Sequence, residues 1–256
     1  MKKTLKNLDV LALPAERKVV LTVEAGAQVW IQDDEGAFEE REIVMTLKPG
    51  ARVNWMTYHS TKSRNKMSES KIFFLEEAAE LDYFHHVLGE SEDKVMVNLN
   101  GNESRVLSQT LFFGQNSEKQ NFQINHVHKG KNTRSKMISR GAVKDTAYSH
   151  FFGNITMQPG CSGADGSLEE HNLLLSSGSK IEAIPALEVH HDEVQASHSA
   201  TLERIDDEKL FYLQSRGLPQ RESIELMVEG FFWDALQKCP NLAFSERIFK
   251  DILLCL

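Results

Sequence analysis

A chain of 256 residues with 41% hydrophobic side chains can bury the core of one large domain or two small ones. Its formal charge of −8 argues against a basic face able to track nucleic-acid phosphates. The amino terminus is too short and broken for a secretory leader, and even Phe231-Phe232-Trp233 is interrupted at Asp234, so the expectation is a cytoplasmic protein with neither a nucleic-acid nor a membrane partner.

Residues 1–18 read as an N-terminal extension. From 19 to 205 the chain is rich in short β-type runs: Val19-Val20-Leu21-Thr22-Val23, Ile43-Val44-Met45-Thr46-Leu47, Ile72-Phe73-Phe74-Leu75 and Val95-Met96-Val97-Asn98-Leu99. Each is followed by a turn and a more polar alternating run, giving a strand, turn, strand unit. The turns recur at Gly26, Gly50, Ala78, Gly101 and Gly130, spaced 24, 28, 23 and 29 residues apart, while alternate ones are 52, 51 and 52 apart. That regular two-step interval suits a coil with two flattened sides and unequal corners, whose rungs stack their inward apolar side chains. An antiparallel sandwich gives much the same punctuation, so spacing leaves both open; the scarcity of Asn-Gly and Asp-Gly hairpin dipeptides tilts the reading toward the coil.

Residues 206–256 change character to a helical region. Asp206-Asp207 can cap a helix over 208–216 with an apolar stripe of Leu210, Phe211 and Leu213, and Gly217 is placed just past its end. A second helix is expected from Pro219 to about Lys238, carrying Ile224, Met227, Val228, Phe231 and Phe232 at helical spacing, with Pro240 ending it. A third stripe of Ile248, Phe249, Ile252 and Leu253 follows.

Ten histidines are present, and none falls in a known ligand motif. His126 and His128 share a face if they lie on a strand and could chelate a metal, although such a pair on a solvated strand is usually empty. The adjacent pairs His85-His86 and His190-His191 point to opposite sides, one solvated and the other packed. The stretch from Leu187 to Thr201 alternates apolar residues with groups able to bind metal or move protons, yet there is no nucleophile elbow, no H-E-x-x-H and no phosphate-binding loop. On its own it reads equally well as a polar strand edge. Cys161, Cys239 and Cys255 are too scattered for a disulfide framework and too few for the four thiolates that usually hold an iron–sulfur cluster.

The run from His190 to Thr201, followed by Arg204 to Gly217, resembles the signature of the SufB/SufD family of iron–sulfur cluster assembly subunits. Ile224 to Phe232 is similar to the family's second tail helix, and Ser139-Arg140-Gly141 and Asn172-Leu173-Leu174-Leu175 fall where members carry similar runs. The resemblance implies a mainly β fold, a right-handed parallel β-helix with a C-terminal α-helical tail, working with an ABC-type ATPase and paired with a sister B-type subunit or with itself as a homodimer. A transient iron–sulfur cluster would be shared across that seam and no catalysis would be required. His198 matches the histidine of the D-type subunit, whereas His171 aligns with the reactive cysteine of the B-type, so the chain looks D-like. His198, the candidate metal ligand, together with His171 and Cys161, are the candidate cluster or sulfur ligands. Phe211, Met227, Phe231 and Phe232 are the expected partner-binding anchors of the tail. The helical region that usually precedes the β-helix in the family is expected to be absent. Rival readings are an interaction module with no cluster role and a β-helix carbohydrate enzyme; the latter would need paired acids such as Glu188, Asp192 and Glu193 beside an aromatic row that the sequence lacks.

Overall fold

The computed structural model of the protein describes residues 1–6, 10–13, 16–34, 40–60 and 67–256. In order the strands are β1 (Lys2–Leu5), β2 (Val10–Ala12), β3 (Lys18–Val23), β4 (Gln28–Asp34), β5 (Glu40–Leu47), β6 (Arg52–His59), β7 (Met67–Leu75) and β8 (Glu80–Leu88). They continue as β9 (Ser91–Leu99), β10 (Arg105–Gly114), β11 (Lys119–His128), β12 (Arg134–Val143), β13 (Tyr148–Met157), β14 (Asp165–Leu174), β15 (Lys180–Val189) and β16 (Gln195–Arg204). Odd-numbered strands form one eight-stranded sheet and even-numbered strands a second, with parallel pairing between neighbours.

The fold is therefore the expected parallel β-helix. Lys18 pairs with Glu42 and Glu42 with Ser70, steps of 24 and 28 residues, so one strand, turn, strand unit completes one turn of the coil. The regular 52-residue interval spans two turns rather than one. Strand pairing also begins before Val19, because β1 pairs with β3 and β2 with β4. The strands lengthen along the coil, from four and three residues in β1 and β2 to ten in each strand from β10 onward.

Period-two alternation explains why these segments stack. In β3 it buries Val19, Leu21 and Val23 and leaves Lys18 in water; in β5 the same rhythm buries Ile43, Met45 and Leu47. These inward rows join into one continuous core running the length of the coil. Each row is covered by the rows of the turns above and below, as in other solenoids.

The corners between odd and even strands are built on a repeated conformation. Gly26, Gly50, Ala78, Glu103, Asn132 and Gly163 all have φ between 51° and 73°. Each donates its N–H to a carbonyl of the next corner, at Pro49, Glu77, Asn102, Lys131, Ser162 and Glu193, over 2.8–2.9 Å. A left-handed residue with a side chain costs roughly 1–2 kcal/mol, which the hydrogen-bond ladder offsets at Ala78, Glu103 and Asn132. Gly101 and Gly130 serve the same corners differently: they allow close approach of backbones, a Cβ at Gly130 falling 2.3 Å from the Gly101 carbonyl oxygen.

The tail comprises α1 (Asp207–Ser215), α2 (Gln220–Leu236) and α3 (Leu242–Leu254). Asp206 caps α1 by accepting from the Glu208 and Lys209 N–H groups, and Gly217 follows its end with φ 95°, as the sequence suggested. Asn241 caps α3. Val228, Phe232, Ala235 and Leu236 of α2, with Phe244, Ile248 and Ile252 of α3, form a second core against Tyr58, Phe84, Leu111, Phe113 and Leu173 on the outer side of the even sheet. Gln109 Nε2 donates to the Ala235 carbonyl over 2.8 Å, and Tyr58 hydrogen-bonds Asp251. Helix α1 has no buried residue. No helix among the described residues is long and apolar enough to cross a membrane.

Gly130→Ala is expected to cost roughly 1–3 kcal/mol, because two backbones rather than a flexible side chain must move apart. Gly26→Ala, whose Cβ meets nothing within 4 Å, is expected to cost only the left-handed strain, ~1 kcal/mol. Denaturant midpoints of the two variants measure the difference, and equal midpoints would contradict this account of the corner.

Candidate functional site

The last turn is where the coil is incomplete. In β14, Leu168 faces the interior and is 1% exposed; His198 of β16 pairs with it in register and lies on the same side of the sheet, yet is solvent-exposed because no further turn covers it. Its companions in the row, Ala200 and Leu202, are exposed for the same reason, and Val189 at the end of β15 is 48% exposed. Strands β15 and β16 are also the terminal strands of the two sheets, so each presents one row of backbone N–H and C=O groups without a strand partner. Glu193 closes the adjacent corner, accepting from Ser162 Oγ over 2.6 Å.

One turn below, Glu170 pairs with Ala200 and Asn172 with Leu202. Both are buried, and neither the Glu170 carboxylate oxygens nor the Asn172 side-chain amide atoms find a hydrogen-bond partner. Burial lifts the Glu170 carboxyl to about 7. Sequence reading passed over Glu170; its signal was an acid at an inward position of an alternating strand.

The three candidate cluster ligands do not share a surface within the chain. His171 is on the outer side of β14, half-buried, with Nδ1 3.2 Å from Thr201 Oγ1. Partial burial and then the Arg140 guanidinium, its neighbour in register, push its pKa down, so it is a neutral imidazole at neutral pH. His198 belongs to the inner side. Cys161 sits in the corner between β13 and β14, fully buried in the main core, and burial pushes its thiol up. Cys239 and Cys255, buried under the tail, are pushed up likewise.

The tail anchors divide in the same way. Phe211 is 72% exposed on α1, and Met227 and Phe231 are half-buried. Phe232, expected as a docking anchor, is fully buried because it lies on the side of α2 that packs on the even sheet. Phe231 is held by Arg140, whose guanidinium lies over its ring at 5.7 Å and donates to its carbonyl over 2.6 Å.

The remaining histidines correct two expectations. His85 and His86 do point to opposite sides of β8, but both are fully buried, His85 in the interior and His86 against Phe244 of α3 at 5.4 Å. His126 and His128 share a side as expected, yet it is the interior rather than a solvated one. There His126 meets Ser108 at 3.0 Å, and His128 meets Thr133 and Ser135 at 2.8 Å each. A further interior group, His59 with His85 and Asp93, brings one possible ligand atom from each residue within 4.8 Å of the others.

A stacked parallel coil with an uncovered final turn and a helical tail folded back on one sheet defines a β-helix protein whose last turn presents two open sheet edges. The chain matches the family described as SUF system FeS cluster assembly, SufBD core domain, over residues 12–231, and it belongs to that family. It is 31% identical over 164 residues to the iron–sulfur cluster assembly protein SufD of Bacillus subtilis, an alignment covering 64% of this chain and 38% of that protein. It is 32% identical over 155 residues to an iron–sulfur cluster assembly SufBD family protein of Methanothermobacter thermautotrophicus, covering 60% and 37%. Against SufD of Escherichia coli it is 30% identical over 118 residues, covering 46% and 28%. The matched parts thus amount to between a quarter and two fifths of these relatives' lengths.

Glu170 gives the site a pH signature. Its folded pKa of about 7 lies above the ordinary carboxyl value, so its share of stability is complete below about 4.5 and is lost as pH rises through 7. Glu170→Gln is expected to be more stable than the native chain at pH 8 by about 2–3 kcal/mol, with the two converging near pH 4.5. Urea unfolding across that range tests this, and parallel curves would refute a buried, unpaired carboxyl.

Proposed function

We propose that this chain is a non-catalytic assembly subunit for iron–sulfur clusters. Its last turn pairs with a sister B-type subunit or a second copy of itself, His198 helps hold iron or sulfide at the seam, and the tail engages an ABC-type ATPase. The cluster is transient cargo shared across the seam. The observation that carries the reading is the exposed inward row of β16, in which an imidazole and apolar side chains stand at two unpaired sheet edges. A second β-helix laid against those edges would cover the row and satisfy the backbone groups, and would set ligands of both chains around the same space.

Geometry favours His198 over the other candidates, since His171 lies on the opposite side of the sheet and the Cys161 thiol is enclosed and held protonated. Those enclosed thiols fit a D-like partner that leaves the sulfur-accepting thiolate to the other chain, and they are also what an interaction module without cluster chemistry would have. The exposed helix α1, led by Phe211, is the natural ATPase contact.

His198→Ala should fold normally and pair normally, but should lose visible absorbance on anaerobic reconstitution of the paired complex with iron and sulfide. Identical absorbance with and without His198, together with failed co-purification of the ATPase, would remove this reading. Phe211→Ala should weaken capture of the ATPase at unchanged thermal stability. Phe232→Ala should instead destabilise the chain by about 3–5 kcal/mol, because it opens a cavity beneath the tail.

A further inference from the structure

The inward rows of the early turns contain polar columns where apolar ones are the rule. Arg41, Glu69 and Asp93 occupy one register position on β5, β7 and β9, and Phe122 of β11 ends that column. Across the interior, Asp33, Thr57, His85 and Thr110 share a position on β4, β6, β8 and β10. With His59 and Lys71, the ionisable members of this group are all 4% exposed or less.

Among the described residues their charges do not balance. Arg41 pairs with Asp33 and Glu69, and Lys71 pairs with Glu69. Asp93 is the third carboxylate against these two cations, and neither of its oxygens has a hydrogen-bond partner. Both ring nitrogens of His85 and Nδ1 of His59 are likewise buried without one. His85 Nε2 stands 3.6 Å from Asp93 Oδ1, beyond hydrogen-bond reach, and the two imidazole rings are 5.6 Å apart between centroids. Each unsatisfied buried polar atom carries a penalty, larger for a charged one, so so many at a single point need a common partner.

We propose that His59, His85 and Asp93 bind one divalent cation of the borderline class, Zn2+ or Fe2+, inside the coil. Two neutral imidazoles and a carboxylate are the donors such ions take, whereas Mg2+ and Ca2+ prefer all-oxygen shells. A separation of 3.6 Å is what two donors each about 2.1 Å from a shared ion present at a wide angle. Desolvation keeps both imidazoles unprotonated, which leaves their lone pairs free. Lys71 and Arg41 repel a cation here, but their pairing with Glu69 and Asp33 offsets that repulsion and leaves the Asp93 charge for the ion. Glu69 Oε2, 3.7 Å from His59 Nε2, or a water molecule completes the shell. The ion would tie strands β6, β8 and β9 together, far along the chain from His198, so this inference does not rest on the proposed function.

The test uses the full chain produced in medium supplemented with Zn2+, Fe2+ or Co2+, purified anaerobically without chelator, desalted and analysed for metal content. One ion per chain is expected, with the Zn2+ and Fe2+ arms deciding which is held more firmly. Asp93→Asn and His85→Gln should each retain less than one tenth of that content, while His150→Gln, at a β13 histidine outside this cluster that meets Asn121 at 3.0 Å, should retain all of it. Should either variant fail to fold, the native chain loaded with Co2+ decides: visible d–d bands of a tetrahedral nitrogen and oxygen site support the proposal. Less than one tenth of an ion per native chain in every arm with no such bands, or full metal content in a folded Asp93→Asn, overturns it.

Discussion

A parallel coil buries an inward side chain only if another turn lies on top of it. That single condition organises the molecule. Leu168 and His198 occupy the same position on successive even strands, and the one is hidden while the other stands in water solely because the stack ends between them and the solvent. A sandwich or barrel would have closed its core on itself; here closure is passed from turn to turn, and the last one is left owing it.

The tail answers a different need. The outer side of the even sheet carries Tyr58, Phe84, Leu111 and Phe113, too apolar to face water, and α2 and α3 cover it. The chain therefore leaves the final strand and runs back over earlier turns, so that the open end and the covered face are joined by the one exposed helix, α1. Helix α1 is thus bounded on one side by the edge strand β16 and on the other by the helix that packs on the even sheet.

Much of this was legible in the sequence. Branched residues at every second position placed the strands, and Asp206 and Gly217 marked the start and finish of α1 because capping is local chemistry. The tail stripes were visible too, but not which aromatic would be spent on packing: Phe231 and Phe232 are neighbours in sequence, and only the seat of α2 on the sheet separates them. The interval that repeats most evenly in the sequence covers two turns, because corner and strand lengths vary between consecutive ones. Least legible was the interior. For the His85-His86 pair the sequence left open which ring packs inside, and nothing in it singled out His59, Asp93 or Glu170; only pairing shows that the alternating phase of β6, β8, β9 and β14 turns them inward.

The lengthening of the strands has a consequence for assembly. Among the described strands, β1 and β2 have four and three residues, and β15 and β16, which form the open rim, have ten each. The backbone groups left without a strand partner on the last turn are therefore spread along two ten-residue strands rather than short ones. A one-residue slip of any strand laid along such a rim would turn its whole side-chain pattern to the other face, so a long rim specifies register more sharply than a short one.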